Sequence, residues 1–387
     1  MRILIFNGYY LPSKNYGGPQ TSIQNLINSC GDIHDFFVVC NNHDFNSSRK
    51  FDVPLRTIVK VERASVIYLN DHDLDYSVYG MLSFLRELKP DIIWFSGVLV
   101  PKKKVVGALA AKKLHIPLLF SPRGEVNADH IRIKAWKKKP FLYLLRFTKV
   151  YHDAYFHSTC SDETDGIINY FKPKRNHLFV VPNIAMPKQG ELIKHNKKPG
   201  TLSCIFISRI HPVKNLLYAI KVLSKCKSQI IYDIYGPIED QSYWQNCIKE
   251  MSLLSSNITI NYKGFLPREN LPMIIQEHDC LLFLSKNENY SHTIAETLSN
   301  KRPVIIGLGA TPWDSVNNVA GYTVPLDNYE IAAKKIDELA AMDESAFEIM
   351  LKRIDDFYNS TPLISSAIAG HLKMFNDIQT DYWKQKK

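Results

Sequence analysis

Short apolar runs alternate with helix-like stretches along this chain, and this pattern constrains its fold more than any other feature. In the first half the candidate strands are residues 2–6, 36–40, 91–95, 117–121, 154–157 and 178–181. The candidate helices between them are residues 19–30, 77–88 and 103–114. The apolar runs are nearly continuous in Ile, Leu, Val and Phe, which is typical of strands buried on both faces of a parallel sheet.

The second half of the chain repeats the alternation. Its candidate strands are residues 202–207, 229–235, 258–262, 280–284, 303–307 and 321–324, and its candidate helices are residues 215–224, 243–254, 271–277 and 294–299. Strands that alternate with helices predict an α/β fold with parallel sheets. The chain has 387 residues, and single cores stop growing at about 250–300 residues, so two domains are expected.

The domain boundaries follow from composition. We expect a first Rossmann-like domain at residues 1–185, a linker at 186–200 that is rich in Pro, Lys and Gly, and a second Rossmann-like domain at 201–363. The last segment, 364–387, contains an amphipathic stretch that is expected to form a helix and to cross back to the first domain.

Composition limits the cellular setting. The seven cysteines are scattered and form no C-x-x-C pair, which predicts free thiols in a reducing compartment. The N-terminus resembles no secretory signal, and no stretch approaches the roughly 18 apolar residues that span a bilayer. We therefore expect a cytoplasmic protein. The net charge of +10 is compatible with nucleic acid, an anionic membrane surface or a phosphorylated substrate.

The strongest chemical signal is the segment SKNENYSHTIAETLSNKRPVII, residues 285–306. Glu288 lies in the predicted loop after an apolar strand, and Glu296 lies early in the helix that follows. Helix N-termini bind anions, and ligands bind at the carboxyl ends of parallel strands. The spacing of two glutamates could arise by chance, but the strand–loop–helix–strand context favours a ligand site.

Here the sequence resembles the family-4 retaining glycosyltransferases, which have the GT-B fold of two Rossmann-like domains facing across a cleft. That family carries E-G-F-G-x-x-x-x-E-A, and this chain has E-N-Y-S-H-T-I-A-E-T. The resemblance implies that Glu288 binds the donor sugar and that Glu296 binds the ribose hydroxyls. It also implies donor contacts from the intervening residues, with Asn289 and Ser291 in place of glycines. These residues are Asn289, Tyr290, Ser291 and His292.

A second signal is ISRIHPVKN, residues 207–215, between a strand and a helix. Arg209 and Lys214 flank a turn, and fixed cations stabilise a departing diphosphate as its negative charge develops. The alternative is a solvated cation pair at the start of a helix. The family pattern G-R-x-x-x-x-K matches with Ser208 in place of Gly, and it implies that Arg209 and Lys214 take part in catalysis.

Two signals lie in the first half. Gly17 and Gly18 follow the first strand, where glycines let backbone amides approach a phosphate or sugar closely. The family implies a contact with the donor diphosphate there. Arg123 and Gly124 belong to an S-P-R-G sequence that is similar to a bacterial subset of the family. They are expected on the acceptor side, where Arg123 binds an acceptor phosphate or the transferred sugar. A structural role is the alternative for Arg123.

Smaller matches extend the resemblance along the chain. The segments DIYGP and YKGFLPRENLP resemble family loops that bind the nucleotide and its base, which implies donor contacts from Gly236, Gly264 and Phe265. The stretch CSDETDGI resembles the family's T-S-x-x-E, and VVPNI resembles its V-I-P-N-G. A further segment, ATPWDSV, resembles a T-P-W sequence of bacterial surface-polysaccharide transferases.

The resemblance implies a hexosyltransferase-type enzyme that retains anomeric configuration and uses a UDP- or GDP-linked sugar, with no metal and no other cofactor. The acceptor hydroxyl attacks on the face from which the diphosphate leaves. Asp71-His72-Asp73 has the shape of a metal-binding D-x-D motif but lies in the first half, away from the expected donor site. The alternatives are a GT-B epimerase or phosphorylase, or a non-catalytic basic binding protein. Nucleic acid is not expected as a partner, because no recognition motif is present.

The basic charge is concentrated around Trp136, before the apolar run 141–147. A basic helix with a Trp can lie on an anionic bilayer, on the inner face of the cell membrane. The acceptor would then be a lipid-linked sugar in O-antigen, lipopolysaccharide or capsule assembly. A solvated basic face over a core helix is the alternative. The basic residues are Arg132, Lys134, Lys137, Lys138 and Lys139.

Overall fold

The computed structural model describes residues 1–13, 17–45, 47–70, 77–98, 101–132, 135–147, 151–185 and 196–384. The chain divides into two compact units: Met1–Ile184 together with Ser365–Lys387, and Ala185–Ile364. Most of the predicted linker, residues 186–195, lies outside the described residues, and so does the D-x-D-like segment 71–73.

The first unit is built on an eight-stranded sheet with the order β3-β4-β2-β1-β5-β6-β7-β8. All neighbouring strands are parallel except β3 and β4, which are antiparallel. The strands are β1 (Arg2–Phe6), β2 (Asp35–Asn41), β3 (Ile58–Val61), β4 (Ala64–Leu69), β5 (Ile92–Ser96), β6 (Leu118–Ser121), β7 (Tyr155–Ser158) and β8 (Leu178–Val180). The helices are α1 (Gly18–Cys30), α2 (Val78–Leu88), α3 (Pro101–Lys113), α4 (Ala128–Arg132), α5 (Ala135–Phe147) and α6 (Ser161–Phe171).

Apolar side chains cover both faces of this sheet, which explains the nearly continuous apolar runs. Ile3 and Ile5 of β1 belong to one buried cluster, and Leu4 and Phe6 belong to another. Since successive side chains of a strand point to opposite faces, a strand between two cores has no solvent face and is apolar at every position.

The second unit is built on a six-stranded, wholly parallel sheet with the order β11-β10-β9-β12-β13-β14. The strands are β9 (Thr201–Ile207), β10 (Gln229–Tyr235), β11 (Ile258–Gly264), β12 (Cys280–Phe283), β13 (Val304–Gly307) and β14 (Gly321–Val324). The helices are α7 (Leu216–Leu223), α8 (Gln241–Met251), α9 (Leu271–Glu277), α10 (His292–Ser299), α11 (Tyr329–Ala340), α12 (Glu344–Ser360) and the short α13 (Pro362–Ser365).

The final helix, α14 (Ala367–Lys384), belongs to the first unit. Its buried side chains, Met374 and Phe375 among them, pack into the same cluster as Ile3 and Ile5 of β1. Tyr155 of β7 donates a hydrogen bond to Asp381 at 2.7 Å, which fixes the far end of the helix.

The α/β fold class with two parallel-sheet domains is confirmed. The sequence pattern did not predict β3, β4, α4, α6, α11, α12 or α13. All seven cysteines lie among the described residues, no disulfide joins them, and six are buried while Cys160 is partly exposed. Within the described part of the chain, no helix is both long and apolar enough to cross a bilayer.

Candidate active site

The second unit has a topological switch point between β9 and β12. Strand β10 pairs with one edge of β9, and β12 pairs with the other edge of β9. Loops that leave the carboxyl ends of such neighbouring strands diverge and leave a crevice where ligands bind. The loop after β9 carries Arg209 and Lys214, and the loop after β12 carries Glu288. The sheet order thus brings two separate sequence signals to one edge.

Lys214 and Glu288 form an ion pair at this edge. The Lys214 ammonium donates to Glu288 Oε1 at 2.6 Å, and the hydroxyl of Ser285 donates to the same oxygen at 2.7 Å. The Lys214 and Glu288 side chains are only 17% and 10% exposed. A cation and a carboxylate therefore stand side by side in a largely desolvated site, where charge–charge interactions are stronger than in water.

Arg209 has a different partner. Its Nη1 atom donates to Glu239 Oε2 at 2.5 Å, and the Arg209 side chain is 50% exposed. Ion pairs this exposed contribute little to stability, so the guanidinium can leave Glu239 for an anionic ligand at small cost. The structure therefore places Arg209 at the switch point but does not join it to the Lys214–Glu288 pair.

The loop after Glu288 is fixed by aromatic packing. The ring of Tyr290 is 2% exposed and lies 5.5 Å from the ring of Trp313, whose indole N–H donates to the Tyr290 carbonyl. Ser291 has a φ of 63°, in the left-handed region that favours glycine. The position where the family has a glycine thus keeps a glycine-like backbone. His292 follows as the first residue of α10.

Glu296 lies on α10, and its side chain is 10% exposed. Burial raises the pKa of Glu296 to about 7, against the opposing effect of the Arg268 charge. Arg268 Nη2 donates to Glu296 Oε1 at 3.3 Å. The hydroxyl of Thr293 donates to the Ile207 carbonyl at 3.1 Å and attaches the start of α10 to the end of β9. Glu296 therefore belongs to the same edge of the sheet as Lys214 and Glu288.

The glycines after β10 and at the end of β11 have different requirements. Gly236 has a φ of 137°, and a Cβ there would lie 1.9 Å from the Ser208 carbonyl oxygen. Only glycine lets these two loops approach so closely. Gly264 has a φ of 75° with open space around its Cβ position, and the neighbouring Phe265 is 50% exposed. An exposed aromatic ring at this edge is available to stack on a base.

In the first unit, Gly17 and Gly18 stand at the start of α1. Both are exposed, and a Cβ at either position would meet no atom of the described residues within 4 Å. Gly17 has a φ of 72° and is the N-cap residue of the helix. The backbone at this helix N-terminus is therefore open to a ligand.

Arg123 and Gly124 form a turn after β6 in which both residues have positive φ, 56° and 84°. Arg123 Nη1 donates to Asn183 at 2.7 Å, and the guanidinium carbon lies 5.5 Å above the ring of Trp94. The Gly124 amide donates to Glu163 Oε1 at 2.6 Å. The turn is therefore fixed from three directions.

Two buried histidines, His157 and His371, lie near Arg123. Burial lowers the pKa of both, and the Arg123 charge lowers each further; that of His371 falls to about 4. His157 contacts the Ser121 hydroxyl at 2.8 Å and the Val181 carbonyl at 2.8 Å. Both rings are neutral at pH 7, so the positive charge of this cluster is that of Arg123.

Several residues that hold the site together were not predicted from the sequence. Asn183 and Glu163 fall in VVPNI and CSDETDGI, two segments that resemble the family but carry no predicted role. Ser285 and Arg268 fall in the segments SKNENYS and YKGFLPRENLP but were given no role, and Glu239 lies outside every motif; the part that each plays is recognisable only through its partner in space. In the described part of the chain, no group of three or more His, Cys, Asp or Glu side chains is arranged to hold a metal ion.

Residues 188–350, all within the second unit, match the family model for group 1 glycosyl transferases. No curated protein sequence is significantly similar to the chain. Among solved structures, HepE of Anabaena in complex with UDP and glucose is 14% identical, with a TM-score of 0.72 over 97% of this chain and 99% of that chain. A mutant of S. aureus TarM in complex with fondaparinux, α-GlcNAc-glycerol and UDP is 13% identical, with a TM-score of 0.69 over 97% and 99%.

A third similar structure is the apo form of the lipopolysaccharide outer core galactosyltransferase WaaB. It is 17% identical, with a TM-score of 0.64 over 98% of this chain and 99% of that chain. At such low identities the likeness shows the fold, which is GT-B. The match of residues 188–350 and this fold together support a glycosyltransferase.

Proposed function

We propose that this protein is a retaining, metal-independent glycosyltransferase that moves a hexose from a UDP- or GDP-sugar to a hydroxyl of a lipid-linked glycan. The observation that carries the proposal is the Lys214–Glu288 ion pair, 2.6 Å long, at the switch point of the second sheet. It combines a fixed cation for a diphosphate with a carboxylate that can accept hydrogen bonds from sugar hydroxyls. HepE and TarM, which have the same fold, have been crystallised with UDP.

In the proposed reaction, the bond between the anomeric carbon and the diphosphate oxygen breaks while the acceptor oxygen attacks on the same face. The acceptor proton passes to the departing phosphate oxygen, so no protein base is needed. Lys214 and Arg209 stabilise the negative charge that grows on the leaving group. Glu288 orients the sugar and is not a nucleophile. Glu296 accepts hydrogen bonds from the ribose hydroxyls.

The remaining donor contacts come from the loops at the same edge. Phe265 stacks on the base, and Gly236 and Gly264 keep the loops after β10 and β11 clear of the nucleotide. The backbone of Asn289, Tyr290, Ser291 and His292 leads into the N-terminus of α10 beside the donor. Gly17 and Gly18, at the N-terminus of α1, are proposed to contact the donor diphosphate through their backbone amides.

Arg123 and Gly124 are proposed to bind the acceptor. The Arg123 guanidinium is charged, whereas the nearby His157 and His371 are held neutral by burial. A fixed guanidinium suits the phosphate of a lipid-linked sugar, because it binds such groups through two parallel hydrogen bonds.

The proposed membrane contact is helix α5. Trp136 and Leu144 are 75% and 60% exposed, and the Lys137 ammonium lies 4.7 Å from the centroid of the Trp136 ring. Exposed aromatic and aliphatic side chains beside lysines are typical of helices that lie at an anionic bilayer surface. A lipid-linked acceptor would be presented at that surface, which supports a role in cell-surface polysaccharide assembly.

The test is a panel of UDP- and GDP-sugars incubated with undecaprenyl diphosphate-linked acceptors, with nucleotide release and the product both measured. The proposal expects acceptor-dependent release of the nucleotide and a product whose NMR coupling shows the anomeric configuration of the donor. Nucleotide release without a glycosidic product would mean hydrolysis of the donor and would contradict a transferase, and an epimerised sugar would instead identify an epimerase. Transfer with inverted configuration would contradict the proposed mechanism.

A further inference from the structure

Arg268 and Glu296 form a pair with one buried and one accessible partner. Arg268 begins the short 3-10 helix Arg268–Asn270 in the loop after β11, and Glu296 lies on α10. Their closest atoms, Arg268 Nη2 and Glu296 Oε1, are 3.3 Å apart. The carboxylate side chain is 10% exposed and the arginine side chain is 35% exposed. The charge of the nearly buried Glu296 carboxylate is thus balanced by Arg268, a partly exposed arginine of the loop after β11.

The surroundings of Glu296 make that balance important. Besides Arg268, the titratable groups among the described residues that act on it or feel its charge are the Tyr290 and Tyr358 hydroxyls. Both phenols are neutral, and Tyr290 is only 2% exposed. Burial raises the pKa of Glu296, and the charge of Arg268 is the cause that lowers it. Whether Glu296 is ionised near neutral pH therefore depends on the position of one loop arginine.

The ionisation state of Glu296 matters because the ribose hydroxyls need hydrogen-bond acceptors. These hydroxyls are donors, and an ionised carboxylate accepts two hydrogen bonds at once through its two oxygens. A protonated carboxyl loses one strong acceptor and presents a donor instead. If Glu296 binds the ribose, as the proposed function states, the nucleotide binds best to the ionised form.

We propose that Arg268 is a positioning residue that keeps Glu296 ionised and oriented for the ribose of the nucleoside diphosphate, and thereby sets the pH dependence of donor binding. This inference rests on the proposed function of the second unit. The guanidinium acts through the carboxylate and needs no contact with the nucleotide. The loop after β11 thus contributes to ribose recognition as well as carrying Phe265.

The test is isothermal titration of the full-length protein with whichever of UDP and GDP binds more tightly, from pH 5.5 to pH 9. The variants are Arg268→Gln, Arg268→Lys and Glu296→Gln, each checked for native folding by circular dichroism. The terminal phosphate of the nucleotide itself titrates near pH 6. Glu296→Gln reports that contribution alone, so the pH profile of each protein is compared with the profile of this variant.

In the wild type, affinity should fall below about pH 7 more steeply than in Glu296→Gln. Arg268→Gln should move this fall to higher pH. A one-unit rise in the pKa of Glu296 reduces its ionised fraction at pH 7 from one half to about one tenth, so affinity there should fall about fivefold and recover by pH 9. Arg268→Lys, which keeps the charge, should restore most of the wild-type profile.

Two results would overturn the inference and leave the proposed function intact. One is an equal loss of affinity in Arg268→Gln at every pH, which would mean a direct contact or a purely structural role. The other is a wild-type pH profile identical to that of Glu296→Gln. If neither UDP nor GDP binds the wild-type protein at any pH, the proposed donor site itself fails, and this inference fails with it.

Discussion

The buried side chain of Glu296, in the proposed donor site, lowers the stability of the folded protein when its carboxyl group is ionised. Burial raises its pKa from the ordinary value of 4.5 to about 7. The folded state therefore retains a proton that the unfolded chain has lost between these two pH values. Stability contributed by the protonated form is complete at low pH and decreases as the pH rises through that window. Above about pH 7, the folded protein carries the full cost of a buried charge.

We therefore expect Glu296→Gln to gain thermal stability relative to the wild type as the pH is raised from 5 to 8. The pKa difference corresponds to up to about 3 kcal/mol at the higher pH. Thermal melts at both pH values measure the change, with Glu348→Gln, an exposed glutamate of α12, as the matched control. A difference from the wild type that is the same at pH 5 and pH 8 would argue against a raised pKa. Loss of nucleotide affinity should accompany the gain in stability.

At the scale of elements, the approach between the loops after β9 and β10 depends on Gly236. Because a Cβ there would lie 1.9 Å from the Ser208 carbonyl oxygen, Gly236→Ala should force the loop that carries Arg209 to move. Clash and backbone strain together should cost more than about 2 kcal/mol. Gly264→Ala is the matched control, since its φ of 75° is strained but the surrounding space is open, and it should cost about 1 kcal/mol. Urea unfolding of both variants measures this, and equal costs would contradict the account.

Helix α5 gives the second prediction at this scale. Replacing Lys137, Lys138 and Lys139 with Gln should weaken binding to anionic vesicles about a hundredfold, because each basic residue contributes about 1 kcal/mol at such a surface. Co-sedimentation with phosphatidylglycerol vesicles measures the effect. The matched control replaces Lys198, Lys249 and Lys352 with Gln, which removes the same charge from exposed positions of the second unit. If the wild type does not co-sediment, or if both triple variants weaken equally, the helix is not a membrane contact.

Elements differ in how far the sequence predicts them. Central strands such as β1 and β9 were predicted because burial on both faces leaves an apolar run. Strand β3 was missed because it is a half-exposed edge strand, whereas β4 was missed although all six of its residues are buried. The turn between them contains Glu62 at a φ of 52°, a position where glycine or asparagine normally signals a hairpin. Helices α11 and α12 were missed although each begins at a capping side chain, Asn328 and Asp343.

At the scale of the whole molecule, the chain consists of two parallel-sheet units, and the order of strands in the second one assembles the proposed donor site. The sequence predicts that Lys214 and Glu288 lie in loops after strands and that Glu296 lies on a helix, as the structure has them. It can do so because the alternation of strand, loop and helix is a local property of the sequence. It did not reveal that Lys214 pairs with Glu288, or that Arg268 pairs with Glu296. Those contacts depend on β9 lying between β10 and β12, and strand order is a property of the complete sheet.

The central claim is that the donor diphosphate departs at the switch point of the second unit, and the kcat of Lys214→Ala tests it most directly. Interactions that strengthen as charge develops lower kcat more than they change KM. Removing one such group typically costs about 3–4 kcal/mol, so kcat should fall roughly a hundred- to a thousandfold, with a smaller rise in donor KM. Lys221→Ala, a lysine of α7 in the same unit that pairs with Glu250 at 4.0 Å, should leave both constants near wild type. A folded Lys214→Ala variant with wild-type kcat, or with a change confined to acceptor KM, would contradict the account.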